Sequence, residues 1–591
     1  MSKAKEADAR DAVPLGMRKK VFSARQYLDK DVRERLSLYV ECPIFLQDPA
    51  IEDEHPELGV VSVAIPWEPE LGHGPRSSRL VVEDDAPLVK WDAKKHCFVN
   101  LADEPVSKED RATAQFRQLN LWAVVQSIID YFESSRALGR PVPWGFKGNR
   151  LRLLPHAGKK ANARYVRETK SLEFFEYGST KKRYTCLSHD LVAHETGHAI
   201  LDGIRPLYYV YRAPETAAFH EYVADLTAIL ISLRRNETRN IVNKMVGGDM
   251  RRGDVISGIA KQLGEFYHGK HGPPLRSADN DLKMSDLKPG QSPHHRSQVL
   301  MGAMFDILVE ITKTLADRGS NAQVWWWAID YFGQLTLQAL DLCPPMDITF
   351  RDYARAVLRN DRLVDPVDER EYRKMMAKIF VEREILDASD LDVLDDRSVP
   401  QQKIFHDIES ISGSETGAYY FLHDNRNELK IPSDVDIEVA DLYTTEKMGR
   451  ANIRLPREVV LLYCWREPVL LQGAKFGKLD GKKVNLLCGG TLVFDSRGNI
   501  RSWEQKPGTD STIGKERKEV LLEHLAAQAK KGRLAFSATE VSEEAPIVVA
   551  PLRDDAEDVV ELQWAPELRN VSFDEDPAPV TDADTDTEDE P

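Results

Sequence analysis

Asp190-Leu-Val-Ala-His194-Glu195-Thr-Gly-His198-Ala-Ile-Leu-Asp202 is the run from which the rest of the chain is read. It contains H-E-x-x-H, bracketed by Leu191, Val192, Ala199, Ile200 and Leu201 at the spacings of a buried helix. Helical side chains four apart are neighbours, about 5–6 Å between Cβ atoms. His194 and His198 can therefore bind one zinc ion from the same face, with Glu195 beside it. A catalytic zinc takes three protein ligands and keeps one position open. A third His six residues after the second would fall at Ile204, so that ligand pattern is excluded. Further on, the chain reads Ala218-Phe-His220-Glu221-Tyr-Val-Ala-Asp225-Leu, and Val223, Leu226, Leu230 and Leu233 mark a second helix. Glu221 and Asp225 share a face there. Glu221 completes a His, His, Glu set, and Asp225 is placed to accept the remaining ring N–H of His194, fixing its tautomer. His220 and Glu215 are the alternative ligands.

The same residues resemble those of the thermolysin-like gluzincin metallopeptidases. That family carries D-V-V-A-H-E-x-x-H-A-V-x-D where this chain has Asp190 to Asp202, and N-E-x-x-x-D where it has His220-Glu221-Tyr-Val-Ala-Asp225. Asn162-Ala163-Arg-Tyr165 followed by Leu172 to Gly178 is similar to its substrate-edge strands. Leu275-Arg276-Ser277 is similar to its L-R-S, and His294-His-Arg-Ser297 to the H-x-x-S that opens its next long helix. The matches span about residues 110–385 in the family's order. The resemblance implies an α+β, multidomain protein with a thermolysin-like peptidase domain: an edge-strand sheet, a lobe carrying the zinc helices and a helical C-terminal lobe. It implies one catalytic Zn2+, and a zinc metalloendopeptidase in which Glu195 is the general base. His294 (or His295) and Tyr209 (or Tyr208 or Tyr211) would stabilise the oxyanion, and Asn162, Ala163 and Arg276 would align the substrate backbone. The strand Leu172 to Tyr177 is expected to form the lip of the cleft and bind peptide by strand addition.

Two other readings stand beside it. A gluzincin aminopeptidase would bring G-x-M-E-N upstream of the HExxH helix; Gly302-Ala-Met-Phe305 lies downstream and lacks the Glu. A catalytically weak or inactive zinc-stabilised interaction protein would have no use for a general base at Glu195.

At 591 residues the chain is long enough for several domains. The division expected is a loose N-terminus (1–30), a small β-rich domain (31–108), the peptidase domain (109–385), a linker (386–400), a mixed accessory domain (401–550) and an acidic disordered tail (551–591). Trp67, Trp91 and Phe98 read as core, as do Trp325, Trp326, Trp327 and Tyr331; Gly489-Gly490 reads as a bend. Hydrophobic content of 42% and charged content of 30% suit a globular protein. A net charge of −16 argues against nucleic-acid binding. No apolar run reaches the roughly 18 residues of a membrane span. The charged start lacks a secretory signal, and six scattered cysteines without a C-x-x-C pair suit a reducing compartment, so a cytoplasmic protein acting on peptide or protein substrates is expected. The flanking domains leave room for a protein partner.

Overall fold

The computed structural model describes residues 39–68, 70–179, 181–209, 213–288, 291–395, 407–537, 547–551 and 559–564. The expected loose N-terminus 1–30, Tyr211, and the acidic run from Asp574 onward lie outside the described residues. The protein is mixed α and β, with more than one domain.

The larger apolar core runs through residues 40–386 and takes in Tyr443, Val460, Leu462 and Val493 from the C-terminal sheet. Strand Tyr39–Phe45 pairs antiparallel with Val60–Pro66. Val40, Cys42 and Ile44 turn inward onto the long helix Ala114–Glu133, and the Phe45 amide donates to Asn120 Oδ1 at 2.9 Å. Phe98 is buried, while Trp67 and Trp91 are half-buried against the same core. A four-stranded sheet follows in the order Leu80–Val82, Leu151–Leu154, Ser171–Phe174, Ala163–Val166; the first two junctions are parallel and the last antiparallel. Leu80–Val82, which the sequence reading assigns to a separate β-rich domain, is thus the first strand of the sheet that carries Ala163. The alternation of buried Leu151 and Leu153 with half-exposed neighbours is the period-two pattern of a strand with one face on a core.

One expectation is corrected here. Ser171–Phe174 has a partner on each side, so its backbone is consumed by the ladder. The end strands of the sheet are Leu80–Val82 and Ala163–Val166, and of the two strands Ser171–Phe174 and Ala163–Val166 it is the latter that lies at an edge.

The smaller core belongs to a sheet built on Glu438–Thr445, Glu458–Leu470 and Lys483–Asp495, joined by Ile500–Lys506 across the Asp495–Gly498 turn and covered by the helix Thr512–Lys530. Gly489 and Gly490 lie inside the long strand rather than at a bend. Gly489 has φ +151, and a Cβ there would sit 2.1 Å from the Tyr463 carbonyl oxygen, so the close approach of the neighbouring strand requires glycine. Ala388–Asp395, expected as linker, is helical, and the buried Asp390 accepts from Arg351 Nε at 2.8 Å. Trp325 and Tyr331 are buried and Trp326 is half-buried, but Trp327 is 42% exposed because it points off the outer face of the helix Asn321–Gln338.

The two cores are tied together through a buried carboxylate. Asp341 accepts from Arg140 Nη2, Tyr443 OH and Lys447 Nζ, each at 2.9 Å. Burial pushes its pKa up, but Lys447 and Arg140 outweigh that and hold it well below the usual carboxylate range. Removing one partner of such a cluster strands the others, so Asp341→Ala is expected to lower unfolding stability by about 3–5 kcal/mol, read by denaturant titration. Because this pKa is depressed on folding, the contribution is present above the unfolded value of about 3.9 and lost as pH falls below it. The six cysteines are free, and no helix among the described residues is long and apolar enough to cross a membrane.

Candidate metal centre

Two helices build the centre. The first, His189–Ile204, starts at Ser188, whose hydroxyl accepts from the Leu191 amide, and carries Asp190 in its first turn, where the helix dipole favours negative charge. It stops at Arg205, because the following Pro206 disfavours helical backbone at the residue before it. The second, Pro214–Arg234, begins with proline, which costs no hydrogen bond there. All sixteen residues of the first helix are buried, and so are Thr216 to Leu233 of the second. Gly197, between the two histidines, lets them meet: a Cβ there would lie 2.9 Å from Ala224 Cα and 2.8 Å from Thr227 Oγ1. Any larger residue would have to push the helices apart at the height of the ligands.

Across that contact the expected side chains converge. His198 Nε2 lies 3.1 Å from His194 Nε2, and Glu221 reaches both, with Oε2 3.4 Å from His194 Nε2 and Oε1 3.6 Å from His198 Nε2. The ligating atoms of His194, His198 and Glu221 all lie within 4.8 Å of one another, so the three can hold a metal ion. Glu215, an alternative ligand, instead accepts from the Phe350 amide at 2.9 Å. His220, the other, faces His198 from behind, Nδ1 to Nδ1 at 3.4 Å.

Asp225 meets His194 as its spacing requires, Oδ1 to Nδ1 at 2.7 Å, which turns Nε2 towards Glu221 and His198. Arg276 holds Asp225 in turn, through Nε at 3.1 Å and Nη2 at 2.8 Å. The resemblance would have Arg276 on the substrate backbone; in the structure these donors go to the carboxylate behind His194. Burial alone would make the Asp225 carboxylate harder to ionise, but Arg276 and His194 override it and hold its pKa near 2. Burial disfavours the His194 imidazolium, yet Asp225 and Glu221 hold its pKa up at about 9. Burial likewise raises Glu221, while His294, His198 and His194 bring it well below the carboxylate range.

His294 occupies the first turn of Pro293–Leu315, and its Nδ1 lies 2.7 Å from Glu221 Oε2. Between His294 and His295, only His294 is brought to the centre by a described contact. Tyr209 is buried in the turn Pro206–Tyr209, edge-on to His220 at 6.3 Å and beneath the Arg167 guanidinium at 3.9 Å. Tyr208 faces away, its hydroxyl donating to Pro344 O at 2.5 Å. Glu195 is 4% exposed on the same helix as the two histidines. Asn162 Oδ1 accepts from the Ala163 amide at 2.8 Å, which places it in the turn leading into the end strand. Arg167 also forks onto Asp202, which accepts from Tyr165 OH at 2.7 Å.

The sequence offered His220 only as an alternative ligand; its place behind His198, Nδ1 to Nδ1, comes from the fold. Arg167 left no signal, because its partners Asp202 and Tyr209 lie on other elements. Asp225→Ala is expected to weaken metal binding by about 10–100-fold, measured by competition with a chelating dye.

No family model matches the sequence, and no curated protein does. Among solved structures, the precursor of protealysin, a metalloproteinase from Serratia proteamaculans, is similar at 15% identity with a TM-score of 0.33, over 52% of this chain and 88% of that one. The functional reading therefore rests on the centre itself.

Proposed function

We propose that this protein is a zinc-dependent metallopeptidase that cleaves peptide bonds within extended polypeptide, with His194, His198 and Glu221 as the ligands. The supporting observation is the convergence of the donors: the two Nε2 atoms lie 3.1 Å apart, and Glu221 reaches His194 through Oε2 at 3.4 Å and His198 through Oε1 at 3.6 Å. A tetrahedral ion with ligands at 2.0–2.1 Å needs donors about 3.3–3.4 Å apart, and the three side chains approach one another at about that spacing, which suits three corners around zinc with a fourth left for water. Two imidazoles and one carboxylate are a donor set that suits zinc better than the hard, oxygen-seeking cations. When bound, zinc supplies Lewis acidity, lowering the pKa of a coordinated water from 15.7 towards about 7.

The chain's own residues supply the rest. Asp225 and Arg276 fix the His194 ring, so the ligand is in place before any ion arrives. Glu195 takes the proton of the attacking water and hands it to the leaving amine. His294 and Tyr209 offer hydrogen bonds where negative charge develops on the carbonyl oxygen. The edge of Ala163–Val166, entered through Asn162 and Ala163, takes the substrate as an added strand and supplies alignment. Retention of Glu195 at the centre favours this reading over an interaction protein that uses the metal as a staple.

The test is cleavage of an unstructured protein such as reduced casein. Activity should vanish with a chelator and return with stoichiometric zinc. A zinc-loaded chain that leaves every bond intact would overturn the proposal.

A further inference from the structure

A groove of about 750 Å3 opens where the Glu221 helix ends at Arg234 and the helix Asn236–Met245 begins, beside the strand Val60–Pro66 and the helix Asn321–Gln338. None of its lining residues belongs to the metal centre. Arg234, Arg235 and Arg239 all line it, and their charges are unequally compensated. Arg234 pairs with Asp330 at 3.3 Å. Among the described residues neither Arg235 nor Arg239 forms an ion pair. Arg239, only 4% exposed, gives its Nη atoms to the carbonyls of Leu233 (3.2 Å) and Arg234 (3.1 Å) and to Asn236 Oδ1, while its Nε is buried without a partner. Arg235 gives Nη2 to Ser127 Oγ at 3.1 Å, and its Nε is likewise buried and unpartnered.

Nothing packed behind them supplies the missing charge. His189 is held neutral, burial first and Arg235 second pushing its pKa down to about 3. Burial draws the Arg235 pKa down to about 10, and the nearby Glu237 carboxylate offsets this only in part. Glu41 and Glu237 also line the groove, but both are exposed, and water and salt screen them as they do not screen the arginines. The helix Asn236–Met245 has Arg235 as its N-cap and no side chain capping it, so the uncapped first turn, which carries partial positive charge, lies at the same place. Trp326 forms a wall, with the Arg239 guanidinium 4.9 Å and the Arg234 guanidinium 5.2 Å from its ring centre. A buried cation without an ion-pair partner is costly, and Arg239, with the half-buried Arg235, an uncapped helix start and an open cavity beside it, is neutralised most simply by an anion entering from solvent. The Nη protons that Arg235 and Arg239 do not already spend on Ser127, Leu233, Arg234 and Asn236, together with the amides of the helix start, outnumber the two oxygens of a carboxylate and suit the three or four of a phosphate.

We propose that this groove binds a phosphate-type oxyanion, free or as the terminal group of a metabolite, held by Arg235, Arg239 and the first turn of Asn236–Met245. The test is a titration of the full chain with inorganic phosphate at constant ionic strength, read by 31P line broadening and tryptophan fluorescence. A saturable response is expected that potassium chloride does not reproduce. Arg235→Gln combined with Arg239→Gln should weaken it about tenfold or more. Because Arg239 is buried and the double variant can fail to fold, Asn240→Asp, which adds a negative charge at an exposed position of the lining, gives a second contrast. It should weaken phosphate while leaving circular dichroism and zinc content unchanged. Tighter binding of a phosphomonoester than of phosphate identifies a terminal group, and equal binding identifies the free anion. A wild-type chain with no saturable response to phosphate, or a response that Arg235→Gln and Asn240→Asp both leave unchanged, overturns the proposal.

Discussion

Glu195→Gln retains its metal and loses turnover by at least 10²–10⁴-fold, the range a positioned acid–base group contributes. Glutamine has the shape of glutamate and can still hydrogen-bond, but its amide cannot accept the proton that an attacking water must shed. The substitution touches none of His194, His198 and Glu221, and the packing at Gly197 that sets the distance between the helices is unaffected. Zinc per chain, by elemental analysis, should therefore equal that of the wild type, while initial rates on unstructured protein collapse. The readings separate at this point. If the metal is only a staple, the variant and the wild type behave alike in every assay. If Glu195 is the base, the loss falls on kcat, because a proton transfer in the transition state makes no demand on substrate binding. Full turnover by the variant would remove Glu195 from the proposed chemistry.

The convergence of His194, His198 and Glu221 at the candidate metal centre was legible in the sequence because its parts are local. His194 and His198 are four apart on one helix, as are Glu221 and Asp225 on another, and apolar periodicity marks both helices. Two local pairs then needed only one tertiary contact, and Gly197 is where it forms. Contacts made between distant elements left less trace. Arg276 carries the same residue type whether it clamps substrate or Asp225, and only the fold chooses. The end strand was misplaced for a similar reason. Ser171–Phe174 and Ala163–Val166 are equally strand-like, and which one has an unpaired edge depends on the parallel pairing with Leu151–Leu154, some twenty residues away. The joining of Leu80–Val82 to that same sheet is a further long-range pairing that short apolar runs do not announce. Gly489-Gly490 illustrates the converse: glycine pairs in a sequence suggest a turn, but here they answer the approach of Tyr463 from a neighbouring strand.

Stripping the metal is expected to cost the protein stability as well as activity. On the proposed ligand set an ion would bind the folded chain through residues from two helices that do not converge when the chain is unfolded, so its binding free energy would add to folding. With free zinc at 1,000 times its dissociation constant, the gain is about 4 kcal/mol, and at 100 times about 2.7 kcal/mol. Without a cation, the buried Glu221 carboxylate depends on the imidazoles of His194, His198 and His294 for its countercharge. Those rings must then carry protons in a site that burial makes hostile to any charge. The denaturant midpoint of the chelated protein should rise with the logarithm of added zinc once zinc exceeds its dissociation constant. Glu195→Gln should follow the same curve, because its ligands are intact. Glu221→Ala should start lower and respond weakly, since two imidazoles alone leave the coordination incomplete. A midpoint indifferent to zinc in the wild-type chain would mean that the two helices reach their places unaided and that these three side chains hold no structural ion. A normal zinc response in Glu221→Ala would move the third ligand elsewhere, with His220, already against His198, the first residue to test.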